Sequence, residues 1–78
     1  MTQELAEFII KSIVSQPAAV TMQAGERNGK NVLKITVSQR DTARVMGSRG
    51  LVIRAIRTLI LAQPSTFEDV VIEPITVE

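Results

Sequence analysis

The hydrophobic residues near the N-terminus recur at intervals of three and four, the spacing of one face of an α-helix. This apolar stripe consists of Leu5, Phe8, Ile9 and Ile13. Proline disfavours helical geometry in the residue before it, so Gln16-Pro17 should end the helix. The pattern predicts a first helix over residues 3–15, with the stripe facing the core.

Two strand patterns follow the first helix. Residues 20–23 form a short strand candidate, and Gly25 with Asn28-Gly29 supplies turn residues for a hairpin. In residues 32–37 apolar and polar side chains alternate, as in a strand with one covered face. The residues expected to face the core are Leu33, Ile35 and Val37.

Two more helices and a last strand complete the pattern. Ser38 can cap a helix over residues 39–46, and Gly47 suits its end. A longer helix is predicted over residues 50–61, and its apolar stripe consists of Val52, Ile53, Ile56, Leu59 and Ile60. Residues 70–77 form a β-branched strand in which Pro74 indicates a sheet edge or a bulge. The order α-β-β-α-α-β predicts one α+β domain over residues 1–78, a three-stranded sheet with three helices on one face.

The composition excludes most enzyme classes. Cysteine and histidine are both absent, which removes disulfides, thiol nucleophiles, the usual neutral-pH base and two kinds of metal ligand. The few carboxylates near the predicted helix and strand starts form no pair at catalytic spacing. We therefore expect no enzyme activity, no cofactor and no metal. Glu4 and Glu7 stand where a signal peptide needs basic and apolar residues, so a cytoplasmic location is expected.

The charge is unevenly distributed along the chain. The net charge is +1, but five of the nine basic residues fall within eighteen positions, opposed there by Asp41 alone. These five are Arg40, Arg44, Arg49, Arg54 and Arg57. A planar guanidinium suits bidentate contact with phosphate. From the charge distribution alone, a solvated helical face explains these arginines as well as a phosphate-binding surface does.

Two glycines three residues apart join the second and third predicted helices, in Gly47-Ser48-Arg49-Gly50. Glycine lets a backbone approach a phosphate closely, and the first amides of a helix point outward under a partial positive charge. Arg49 adds a mobile charge, and Ser48 is too small to obstruct the approach. The spacing alone also fits a ligand-free turn, a nucleotide cofactor or an acidic protein. A Walker-type loop is excluded, because no Lys-Ser or Lys-Thr follows the glycines.

The run Val45-Met46-Gly47-x-x-Gly50-x-x-Ile53-x-x-Ile56 resembles the KH motif V-I-G-x-x-G-x-x-I-x-x-I, with a volume-conserving methionine at position 46. With the opening helix and the residues after Ala55, the chain resembles over nearly its whole length the small single-KH-domain bacterial proteins of the KhpA (YlqC) family. The resemblance implies a type II (prokaryotic) KH domain. In that fold the helix pair and the adjoining strand form a groove for about four nucleotides of single-stranded RNA.

The resemblance also implies roles for individual residues. The loop residues Gly47, Ser48, Arg49 and Gly50 would contact the sugar-phosphate backbone, while Val45, Leu51 and Ile53 would lie near the groove and its floor. Family loops often carry the basic residue first, whereas here it stands second. Arg40 and Arg44 are candidates for the groove edge and Arg54 for an extended phosphate track, whereas Arg57 is expected to serve solubility.

Two functions stay open at this point. One is an RNA-binding protein acting as a post-transcriptional regulator or RNA chaperone within a dimer. The other is a KH-like protein-protein interaction module with little RNA binding of its own. A small groove gains avidity from a second domain, and the resemblance implies a homodimer or a larger KH-containing (Jag-type) partner in control of cell shape. Phe8 and Phe67 lie outside the motif, so base stacking on aromatic side chains is not expected.

Overall fold

The computed structural model describes residues 2–76. Its elements are α1 (Thr2–Ile13), β1 (Thr21–Arg27), β2 (Lys30–Ser38), α2 (Thr42–Met46), α3 (Leu51–Leu61) and β3 (Asp69–Ile75). Short 3-10 turns at Pro17–Ala19, Gln39–Asp41 and Ser48–Gly50 lie in the connections. The predicted order of helices and strands is confirmed. The last predicted strand residue, Val77, lies outside the described residues.

The sheet is mixed, with β2 at its centre. β2 pairs antiparallel with β1 and parallel with β3. Asn28 and Gly29 have positive φ angles of 54° and 79° and form the predicted hairpin turn. Gly25 was expected in the turn but lies inside β1, opposite Val32, with the flexible side chain of Lys34 across it. Pro74 lies on β3, an edge strand, where a missing backbone donor costs no ladder bond on the outer side.

The hydrophobic core lies between the sheet and the helices. The predicted inward residues of β2 are all fully buried, and Ile53, Ile56 and Ile60 of α3 pack against them. Burying such a side chain contributes about 1.5–3 kcal/mol, so these contacts hold α3 on the sheet. Val52 and Leu59 were predicted to join the stripe of α3 but are 36% and 53% exposed. None of the helices within residues 2–76 is long and apolar enough to cross a membrane.

The first helix buries a different face from the predicted one. Ala6 and Ile10 are fully buried, Ile9 and Ile13 are partly buried, and Phe8 is 72% exposed. Residues advance about 100° each around a helix, so Phe8 points almost opposite to the side chains two positions before and after it. The prediction that Phe8 faces the core is therefore wrong. The small side chain of Ala6 lies at the contact instead.

A buried carboxylate ties the start of α2 to the end of α1. Asp41 is only 1% exposed and accepts hydrogen bonds from the Ser15 amide (2.9 Å), the Ser15 hydroxyl (2.8 Å) and the Gln16 amide (3.2 Å). The bond from the Ser15 amide is the main cause that holds the pKa of Asp41 below its ordinary value, against the opposing effect of burial. This contact fixes the helix that leads into the two-glycine loop.

Candidate nucleic-acid interface

The two-glycine loop, residues 47–50, connects α2 to α3 through three residues with positive φ: Gly47 at 73°, Arg49 at 56° and Gly50 at 73°. Gly47 combines its φ with ψ 179°, a region that is essentially restricted to glycine. Its amide donates to the Ala43 carbonyl at 2.9 Å and so closes α2. The loop conformation therefore depends on glycine at position 47.

The two glycines serve different purposes. A Cβ on Gly47 would lie 2.4 Å from Val52 Cγ2 and 2.9 Å from the Val52 amide nitrogen, so the loop packs directly against the first turn of α3. A Cβ on Gly50 would meet nothing closer than 3.7 Å. Gly50 is thus required only for its left-handed conformation. Gly47 provides both a conformation and a close approach.

Arg49 projects from the tip of the loop in a left-handed conformation that is uncommon for a residue with a side chain. Its carbonyl accepts a hydrogen bond from Arg54 Nη2 at 2.9 Å. A residue of α3 therefore holds the loop backbone in place, and both guanidinium groups lie on the exposed surface beside it. Charge-assisted bonds of this kind are stronger than neutral ones.

The N-terminal end of α3 faces the loop. Its N-cap residue is Gly50, which has no side chain to accept a hydrogen bond from the first turn. The helix is eleven residues long, and its aligned peptide dipoles place partial positive charge at this end. Together with Arg49 and Arg54, this arrangement favours an anion such as phosphate.

An open groove of about 290 Å³ begins next to the loop. We call it the loop groove; it is lined by Arg27, Met46, Ile53, Arg57, Asp69, Val70, Val71 and Ile72. Met46 directly precedes the loop and Ile53 follows it within one turn, so an apolar floor adjoins the N-terminal end of α3. Arg57 Nε lies 3.0 Å from Asp69 Oδ1. Arg57 was expected to serve solubility, but it also links α3 to β3 across the groove.

The structure separates the predicted site residues into two groups. Arg54 lies against the loop, Leu51, 58% exposed, flanks the loop at the start of α3, and Ile53 borders the loop groove with only 3% of its surface exposed. Val45 is fully buried, so its side chain supports the loop from the core and offers no surface to RNA. Val45 was expected near the groove and its floor; it lies one residue before Met46, with its side chain turned into the core on the short helix α2.

Arg40 and Arg44 do not line the loop groove. Arg44 Nη1 is directed at the Ile13 carbonyl, 3.5 Å away, at the end of α1. Arg40 borders a separate hollow with Gln39 and Thr76, near the end of β3. The basic cluster that is continuous in sequence is therefore divided in space.

Two charged residues of the groove, Arg27 and Asp69, were not predicted from the sequence. Arg27 ends β1 beside the hairpin, and Asp69 starts β3, more than forty residues later in the chain. Only the order of the elements could have indicated Asp69, since a last strand parallel to β2 brings its first residues next to α3. No local pattern marks Arg27.

Comparison with known proteins agrees with this geometry. The family model described as "KhpA/KhpB, KH domain" matches residues 3–65. The chain is 42% identical over 57 residues to RNA-binding protein KhpA of Borreliella burgdorferi, covering 73% of this chain and 70% of that protein. It is 34% identical to RNA-binding protein KhpA of Treponema pallidum, covering 80% and 78% of the two chains.

A third relative extends over more of the chain. RNA-binding protein KhpA of Thermotoga maritima is 30% identical over 71 residues, which cover 91% of this chain and 95% of that one. No solved structure matches the sequence. Because the family model spans most of the chain, including the whole two-glycine loop, this protein belongs to the KhpA/KhpB family of KH-domain proteins.

Proposed function

We propose that this protein binds single-stranded RNA, with the sugar-phosphate backbone held at the two-glycine loop and the bases laid along the loop groove. The observation that carries the proposal is the loop itself, which opens an eleven-residue helix, carries the exposed Arg49 at its tip and accepts a hydrogen bond from the exposed Arg54. The relatives named as RNA-binding proteins support the same function.

The chemistry of binding follows from the residues around the loop. A phosphate approaches the glycine backbone at the start of α3, where Arg49 supplies a full positive charge and Ser48 leaves the approach open. The hydrogen bond from Arg54 holds the loop backbone in one conformation before RNA arrives, which lowers the entropy lost on binding. The bases then lie along the groove on the exposed side chain of Met46 and meet the exposed edge of β3.

A short groove of this size holds few nucleotides, so useful affinity calls for a second binding unit. We propose that the protein acts in the cytoplasm as a homodimer or with a larger KH-containing (Jag-type) partner, as a post-transcriptional regulator or RNA chaperone without catalytic activity. Phe8 on α1 and Leu59 on α3 support the presence of an interface, because the two helices pack together and leave both side chains exposed.

The same exposed residues favour the second candidate, a protein-protein interaction module. The variant Phe8→Glu places a charge on that face without touching the loop groove. Sedimentation velocity of this variant should show monomers where the parent forms dimers. An unchanged sedimentation coefficient would place the interface elsewhere.

A double substitution in the loop tests RNA binding directly. Ser48→Asp with Arg49→Asp reverses the charge at the tip, so binding to a mixed single-stranded RNA pool should fall at least tenfold, while the melting temperature stays close to that of the parent because both side chains are exposed. A control with the same change in net charge is Gln3→Glu with Lys11→Glu, two exposed residues of α1. If both double variants lost affinity equally, the loop would not be the binding site.

A further inference from the structure

The third helix leaves an apolar row uncovered, separate from the face that it buries against the sheet. Four exposed apolar residues follow one another at spacings of three, four and three positions, which places them along one side of the helix. These residues, which we call the α3 stripe, are Val52, Ala55, Leu59 and Ala62. The two arginines of α3 lie off this row: Arg57 borders the loop groove, and Arg54 bonds to the loop. An uncharged row of this kind marks a contact with another protein surface.

The α3 stripe is complementary to a second copy of itself. Along the row, large side chains alternate with alanine. Two copies of α3 can pack antiparallel with a two-fold axis beside residue 57. Val52 of one copy then lies opposite Ala62 of the other. The same axis places Leu59 opposite Ala55, so each large side chain fills the space above a small one, as close helix packing requires. A surface that matches itself about a two-fold axis fits a symmetric dimer.

Val52 belongs both to this stripe and to the support of the two-glycine loop. A Cβ on Gly47 would lie within 3 Å of three Val52 atoms, so the loop backbone rests directly on this residue. Val52 is the second residue of α3, and the N-cap residue Gly50 provides no side-chain hydrogen bond to the first turn. The hydrogen bond from Arg54 to the loop is exposed to solvent. The loop and the first turn of α3 are therefore held by few buried contacts, and they can open together at a low cost in free energy.

We propose that a second copy packed on the α3 stripe stabilises the two-glycine loop through Val52, so that dimerisation raises the RNA affinity of each loop. This inference rests on the proposed function, which includes both the RNA site and the homodimer. The second copy covers the exposed side of Val52, so opening the first turn of α3 would break the dimer contact as well. The loop is then already ordered when RNA arrives, and less entropy is lost on binding. This gain differs from avidity, because it applies to a strand that reaches only one loop.

The test first changes the fit between the two copies. Leu59→Ala leaves a gap in the contact, and Ala55→Leu places two leucines against each other. Each single variant should therefore be monomeric in sedimentation velocity at concentrations where the parent is a dimer. The double variant, Ala55→Leu with Leu59→Ala, exchanges the large and the small position and should form dimers again. Both residues are exposed and lie outside the loop groove, so the helix content by circular dichroism should stay that of the parent.

RNA affinity is then measured by isothermal titration calorimetry with a four-nucleotide single strand, for which a stoichiometry of one strand per chain excludes bridging of two loops. The parent and the double variant should bind this strand about fivefold to tenfold more tightly than the two monomeric variants. Amide hydrogen exchange at residues 50–54 should likewise be slower in the dimers. By linkage, saturation with this strand should strengthen the dimer by the square of the same factor, since each dimer has two loops.

Equal affinity of monomers and dimers for the four-nucleotide strand would overturn the coupling and leave RNA binding and dimerisation in place. Single variants that stay dimeric, or a double variant that stays monomeric, would overturn the packing of a second copy on the α3 stripe. A monomeric parent would overturn the inference as well and would assign the stripe to a different partner. A parent that binds no single strand of any length would instead overturn the proposed RNA-binding function.

Discussion

Substitution of the first loop glycine by alanine should destabilise the domain far more than substitution of the second. Gly47 has φ 73° and ψ 179°, and an added Cβ would lie within 3 Å of three atoms of Val52, one of them backbone nitrogen. Gly50 also has a positive φ, but its ψ of 19° is in the left-handed helical region and its surroundings are open. Gly50→Ala thus carries a conformational cost alone, whereas Gly47→Ala carries a larger conformational cost and a steric one.

The magnitudes follow from these geometries. At Gly47, a backbone region reserved for glycine costs about 1–3 kcal/mol and displacement of Val52 costs about as much again. We therefore expect a loss of about 4 kcal/mol in the free energy of unfolding. At Gly50 only the left-handed cost applies, about 1 kcal/mol. For a domain of this length the total stability is about 4–12 kcal/mol, so Gly47→Ala removes a large part of it.

Urea denaturation followed by circular dichroism measures the loss of free energy in both variants, and thermal denaturation gives their melting temperatures. About 1 kcal/mol shifts the melting temperature of a small domain by roughly 4–8 °C, so Gly50→Ala should melt within that range below the parent. Gly47→Ala should melt at least twice as far below it. Equal losses in the two variants, or a larger loss for Gly50→Ala, would refute the assignment of a close approach to position 47.

Three further outcomes follow from single contacts. Because folding lowers the pKa of Asp41, its carboxylate stabilises the fold above the unfolded pKa of about 3.9, and this contribution is lost as the pH falls through the folded pKa. Asp41→Asn should therefore melt below the parent at pH 7, by a difference that narrows below about pH 4 in thermal melts. Arg54→Gln should weaken RNA binding about threefold to tenfold with little change in melting temperature, whereas a large loss of stability would assign Arg54 to the fold alone. Arg49→Gly should also weaken RNA binding without lowering stability, since glycine tolerates φ 56°; unchanged affinity would remove Arg49 from the phosphate site.

The sequence was sufficient for the architecture because its signals are local. Alternation in β2, the Asn28-Gly29 turn and the glycine pair each specify a short piece of backbone, and their order allows few folds. The two-glycine loop was predictable for the same reason, since positive φ and a helix start are properties of neighbouring residues. The structure adds the distinction between Gly47 and Gly50, which depends on the packing of Val52.

The errors concern contacts between distant residues. Hydrophobicity alone placed Phe8 in the core, whereas close packing of α1 requires the small Ala6 on that face. Asp41 carried a signal for a helix start, but its partners Ser15 and Gln16 lie twenty-five or more positions earlier. The charged wall of the groove was missed likewise, because Asp69 reaches α3 only through the pairing of β3.

The most direct test of RNA binding at the two-glycine loop is a titration of the isotope-labelled protein with a short single-stranded RNA, followed by amide chemical shifts in solution. We predict that the largest shifts fall on the amides of residues 47–54, followed by residues 69–72 along the groove. The amides around Gln39 and Arg40, and those of α1, should change little. Shifts centred on α1 or on the Arg40 hollow, with residues 47–50 unmoved, would contradict the assignment of the two-glycine loop as the RNA-binding site.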